Sequence, residues 1–147
     1  MPSVWNTPDR ARLLARLERL SPDRRRVWGS LTAPKMVTHL CDSLRATLGE
    51  VEVPQKTTPF RFPIVKQLVV YLLPWPKNAP TAPAYLATPP ADWDADRSLL
   101  RALLVRVAAR GPTAEWPPHP AFGRLSGRAW GVLIHRHFDH HLTQFGV

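Results

Sequence analysis

Trp130-Gly131-Val132-Leu133-Ile134-His135-Arg136-His137-Phe138-Asp139-His140-His141-Leu142-Thr143-Gln144-Phe145 holds four of the chain's six histidines, so its conformation decides what they can do together. Its apolar residues recur with helical spacing, and Ser126 just upstream is a suitable N-cap. At about 100° per residue, with His137 at zero, Trp130, Ile134, His141 and Phe145 fall within about 80° on one side. Leu133 and Gln144 lie close on the other, so His137 and His141 sit in the middle of the buried stripe. By the same arithmetic His140 is about 60° off, at the edge, and His135 is roughly opposite, facing solvent or a partner. Two imidazoles one turn apart on a buried face are costly unless their ring nitrogens are paired, and a metal ion satisfies both.

Working outward, three more long helices are predicted. The first has Thr7 as N-cap and Pro8 at its first position, carries Leu13, Leu14, Leu17 and Leu20, and ends near Ser21-Pro22. The second follows Thr32, tolerates Pro34 in its first turn, places Met36, Leu40, Leu44 and Leu48 on one stripe and stops at Gly49. A third runs from about Ala95 to Arg110, with Leu99, Leu100, Leu103, Leu104 and Val107 on one face and Gly111-Pro112 as terminator. Between Val51 and Trp93 the chain is dense in proline, which reads as a long crossover with one short apolar helix from about Ile64 to Leu73. Nothing reads as paired strands. The expectation is an all-α single domain over residues 1–147, a four-helix bundle closed by one long crossover between helices 2 and 3.

The third ligand is expected from the second helix. His39 lies three residues after Met36 and one before Leu40, at the border of the apolar stripe. Asp42, one turn on, shares its side and is a candidate second-sphere partner or additional ligand. Cys41 points away, which argues against a mixed His/Cys site; it is most simply a small buried apolar residue. His119, before Pro120, is placed to line the pocket or to serve only as a turn residue. Asp42, His119 and His140 are the candidate general bases. Three neutral histidines favour zinc, nickel or iron(II) over magnesium or calcium and leave an open position, unless a side chain such as His140 or Gln144 fills it.

Several classes are set aside. No Glu follows His137 or His141 as metalloprotease chemistry requires, and there is neither a nucleophile elbow nor a glycine-rich phosphate loop. Twenty Lys and Arg against eleven Asp and Glu give a net charge of +9, but only Arg24-Arg25-Arg26 forms a run, which weighs against nucleic-acid binding as the main role. The single cysteine, the absence of roughly 18 consecutive apolar residues and an N-terminus without a signal pattern suggest a cytoplasmic protein with no membrane span. Trp5, Trp75 and Trp93, near loops, suggest a homodimer contact.

The chain also resembles the DinB-like superfamily of four-helix metalloenzymes, in a branch described only as a domain of unknown function. The resemblance rests on Trp28-Gly29, Met36, His39-Leu40 and Asp42 near the start. At the end it rests on His119-Pro120-Ala121-Phe122-Gly123-Arg124-Leu125, Trp130, His137, His140-His141 and Gln144-Phe145-Gly146. It implies a DinB/YfiT-like bundle with a divalent cation on one histidine of the second helix and an H-x-x-x-H pair of the last, a pattern that falls on His39, His137 and His141. It further implies a metal-dependent transferase or hydrolase acting on a small molecule, with a low-molecular-weight thiol as one partner. The alternative expectation is a non-catalytic bundle whose histidines hold a structural or vestigial ion and whose surface binds a protein or nucleic acid.

Overall fold

The computed structural model describes residues 1–78 and 81–147. The fold is all-α, with five α-helices among the described residues: α1 Thr7–Glu18, α2 Ala33–Leu48, α3 Pro63–Gln67, α4 Trp93–Arg110 and α5 Gly127–Gln144. The described residues contain no strand, only an isolated antiparallel bridge between His119 and Gly123. None of the helices is long and apolar enough to cross a membrane.

Local side-chain chemistry sets the ends of the long helices. The Thr32, Asp92 and Ser126 side chains accept from the amides of Lys35, Ala95 and Ala129. Each thereby satisfies one of the N–H groups left open at a helix start. Gly49, at φ +82°, ends α2 in the left-handed region that an L side chain avoids. Two boundaries differ from expectation. Asn6 rather than Thr7 caps α1, because its side-chain oxygen reaches Asp9 N at 3.0 Å, and α1 stops at Glu18. Asp92 starts α4 two residues before Ala95.

Leu13 and Leu17 of α1, Met36, Leu40 and Leu44 of α2, Leu100, Leu103 and Leu104 of α4, and Phe138 and Leu142 of α5 are buried in one continuous core. At roughly 1.5–3 kcal/mol per fully buried large apolar side chain, this cluster is the main stabilising term. The N-terminal segment closes over α5, where Val4 N donates to Gly131 O at 3.1 Å and Trp5 Nε1 to Gly127 O at 2.8 Å.

The crossover between α2 and α4 is tied down along its length. Thr58 donates to Ala121 O and Lys66 to Arg124 O. α3 runs on into a single π-helical turn, Leu68–Leu72. There the Arg136 guanidinium of α5 donates to the carbonyls of Val69 (2.9 Å), Val70 (2.8 Å) and Leu73. Further along, Lys35 of α2 donates to Leu86 O and Thr88 O. Two parts of the crossover are thus fixed against the two helices that carry His39, His137 and His141.

The tryptophans expected at a dimer contact are half-buried within the chain. Trp5 stacks on Trp116, Trp75 on His137 and His140, and Trp93 lies under Arg97. The basic run is also engaged, since Arg24 donates to Phe145 O and Gly146 O and Arg26 to Gly29 O.

Candidate metal centre

Helical phase puts His137 and His141 one turn apart on α5, and the packing of α2 brings His39 opposite them. His39 Nε2 lies 3.0 Å from His137 Nε2 and 3.1 Å from His141 Nε2, and one ring nitrogen from each of the three residues falls within a common 4.8 Å. Two nitrogens each about 2.0–2.1 Å from one ion can stand up to roughly 4 Å apart, so the His39 separations suit a shared first-row cation.

The tautomers carry more information than the spacing. His39 Nδ1 is 2.8 Å from Tyr85 O, a carbonyl that can only accept, so Nδ1 bears the proton and Nε2 is a bare lone pair. On α5, Gln144 Nε2 donates to Trp28 O at 3.0 Å, which turns its Oε1 toward His141 Nδ1 at 3.0 Å. His141 Nδ1 therefore also donates, and its Nε2 is also bare. The His39 and His141 lone pairs face each other, an arrangement that calls for a shared cation. A proton is a poor substitute. Burial pushes His141 down to about 3, with repulsion from His39 adding to the effect, and burial likewise lowers His39. His137 is driven well below its ordinary value by burial and then by the other histidines.

Gly29 makes the Gln144 contact possible. A Cβ there would stand 2.1 Å from Gln144 Nε2, and the residue's φ of +84° already disfavours a side chain. Trp28 and Gly29 thus bring a carbonyl to the Gln144 amide, the Gln144 amide orients His141, and the Tyr85 carbonyl orients His39. Helical phase places Gln144 beside His141, three residues on, but the Trp28 and Tyr85 carbonyls reach the site only through tertiary packing. Gln144 bonds the far side of the His141 ring, opposite the Nε2 that faces His39.

Asp42 is buried and shares a face with His39, but its two oxygens accept from Thr88 N (3.0 Å) and Thr88 Oγ1 (2.5 Å). It anchors the crossover and lies outside the three-residue group. His119 is held in its turn, where its Nδ1 accepts from Ala121 N (3.1 Å) and Phe122 N (3.3 Å) and its ring packs on Phe122 and Trp130. Burial, with a smaller push from Arg61, brings His119 down to about 4. His140 is half-buried, with its ring 4.7 Å from Trp28, 6.0 Å from Trp75 and 5.3 Å from His141. His135, expected to face solvent or a partner, is half-buried on the side toward Asp9 and Arg16 of α1. Cys41 is buried, its thiol pushed up to about 12 chiefly by burial.

A cleft of about 290 Å³ lies beside the triad, lined by Trp28, Trp75, Lys77, Arg136, Asp139 and His140 among others. Two of its lining rings reach the triad: Trp75, 6.1 Å from His137, and His140, 5.3 Å from His141.

The fold and the site together define an all-α protein with three convergent imidazoles contributed by its second and last helices. Residues 14–146 match the family described as "Protein of unknown function (DUF1569)", and the chain belongs to it. No curated protein and no solved structure matches the chain.

Proposed function

We propose that the chain is a divalent-metal-dependent enzyme of DinB-like four-helix-bundle type, with His39, His137 and His141 as protein ligands. The observation that carries this reading is the pair of bare Nε2 lone pairs of His39 and His141, 3.1 Å apart, each fixed by a proton committed on the opposite side of its ring. An all-nitrogen set of neutral ligands favours zinc, nickel or iron(II). Such an ion supplies Lewis acidity to a substrate heteroatom, a water or a thiol, at the coordination position that three ligands leave open.

The remaining roles belong to the chain's own side chains. Tyr85 O and Gln144 hold the imidazoles in their ligating tautomers. Trp75 covers His137 on the side of the cleft and limits water there. Of the three candidate bases, Asp42 and His119 are engaged by Thr88 and by backbone amides. His140 lines the cleft, and burial holds it below its ordinary value and hence neutral near pH 7, so it is the group placed to accept a proton from a bound nucleophile. The reaction class is transfer or hydrolysis on a small molecule, with thiol transfer the first to screen.

The test is elemental analysis of untagged protein purified without added metal, alongside His137→Ala. About one equivalent of zinc, nickel or iron in the wild type, lost in the variant, is expected for a three-histidine site. A wild type that takes up no metal even after soaking would overturn the reading.

A further inference from the structure

The cleft beside the triad has a charge and shape of its own, and these bear on the substrate class of the proposed enzyme. His140 lies between two indoles, 4.7 Å from Trp28 and 6.0 Å from Trp75. At about 290 Å³ the space is at the small end of the roughly 300–1,000 Å³ typical of ligand clefts, suited to one or two fused rings.

The electrostatics of the lining are one-sided. Arg136 sits 5.4 Å from the Trp75 ring, but its guanidinium already donates to the carbonyls of Val69, Val70 and Leu73, so it offers the cleft mainly charge. Lys77 lies 5.8 Å from the Trp28 ring and is exposed, with no ion pair among the described residues. The one lining carboxylate, Asp139, is paired with Arg16 at 2.5 Å. The crossover that forms the opposite wall brings none, since there is no Asp or Glu from Val53 to Ala91. Two cations thus face an aromatic slot with one carboxylate, which is paired with Arg16 and also acts on Arg136 and His140, so the balance of the lining is net positive. A cationic ligand is disfavoured there, and an anionic group would meet an exposed ammonium that has no ion pair among the described residues.

We infer that this cleft binds the planar aromatic part of a carboxylate substrate, with the ring against Trp28, Trp75 and His140 and the carboxylate at Lys77. The inference rests on the proposed metal reading for what becomes of the ligand, while binding itself rests on the cleft alone. Trp75 is the shared wall, so a ligand ring lying against it stands one side chain away from His137.

Calorimetric titration at low salt tests the inference, using chelator-treated protein so that no metal contributes. The probes are 2-naphthoate, uncharged 2-naphthylmethanol and non-aromatic cyclohexanecarboxylate. 2-Naphthoate should bind about two- to fivefold tighter than either control, the size expected of a single exposed charge contact or ring stack. Lys77→Gln, at an exposed position where folding is not at stake, should erase the preference over the alcohol, and Trp75→Leu the preference over cyclohexanecarboxylate. Equal binding of all three probes, or an unchanged naphthoate-to-alcohol ratio in Lys77→Gln, would overturn the inference. The two readings fail separately. A wild type that holds metal but gives a flat naphthoate titration loses the cleft and keeps the metal, and one that holds no metal yet shows Lys77-dependent naphthoate binding does the reverse.

Discussion

The triad and the His119 turn are both places where imidazoles are buried or half-buried and held neutral, yet they use their lone pairs in opposite ways. At the turn, His119 Nδ1 accepts from two backbone amides, so its lone pair is consumed within the fold. In the triad, Nδ1 of His39 and of His141 gives its proton to a fixed acceptor, and the lone pairs are left facing one another. Burial and a depressed pKa are common to both regions. What separates His119 from the proposed ligands is therefore the direction of the unused lone pair, which the partner of the other nitrogen sets.

The largest expected effect breaks the comparison outright. His137→Ala, or the triple variant His39→Ala/His137→Ala/His141→Ala, should lower bound metal from about one equivalent to near none, whereas His119→Ala should leave it unchanged. Elemental analysis of the purified proteins reads both. Equal metal loss in the His119 variant would show that the two regions are not distinct.

Next in size, His119→Ala strands the amides of Ala121 and Phe122 and removes the ring packed on Trp130. A cost of about 2–3 kcal/mol is expected in urea unfolding at pH 7. Acid should shrink that difference. The folded protein keeps His119 neutral down to about 4 while the unfolded chain takes up a proton near 6.5, so its contribution is present above pH 6.5 and lost as the pH falls toward 4. Unfolding curves for the wild type and His119→Gln should therefore converge between pH 7 and pH 4.5. A gap that widens would mean that His119 is charged in the folded state.

A smaller change sharpens the contrast from the other side. Gln144→Leu removes the acceptor that fixes His141, and Gly29→Ala pushes Gln144 out of its place. Each should weaken metal binding roughly tenfold, at the low end for outer-shell partners, in competition against a chromogenic chelator. Affinity equal to the wild type in both would show that the tautomer lock is not what prepares the site. Smallest of all, Asp42→Asn should cost about 1 kcal/mol through the Thr88 contacts and leave metal content unaltered. Loss of metal there would return Asp42 to the site.

These contrasts also mark how far the sequence could be read. Thr32, Gly49, Gly111 and Ser126 announced helix ends because capping is local, and a 100° step was enough to place His137 and His141 on one buried face. Asn6 was passed over for Thr7 because adjacent polar residues compete for one cap. The assignment of Asp42 followed helical proximity to His39. Its partner, Thr88, lies in a proline-rich segment with no periodicity to place it. Tyr85, Trp75 and Lys77 lie in the same crossover, and their relation to α2 and α5 is tertiary. Gln144 was legible as a residue on the histidine face, but its role depends on the Trp28 carbonyl more than a hundred positions away. The tryptophans that suggest a dimer contact are each half-buried against an intramolecular ring or cation, a tertiary relation that spacing does not show.

Arg136 immediately precedes His137 on α5, and the same guanidinium gathers the carbonyls of Val69 and Val70 in the π-helical turn and of Leu73 just after it. One wall of the cleft is thus bolted to the helix that carries two of the three imidazoles, and the two parts travel as a single piece. Insertions or deletions elsewhere in the crossover would be taken up by the loop around this anchor, leaving the spacing between Trp75 and His137 as it is. The segment richest in proline and poorest in regular structure therefore contains a point of fixed dimension, around which loop length is free to drift.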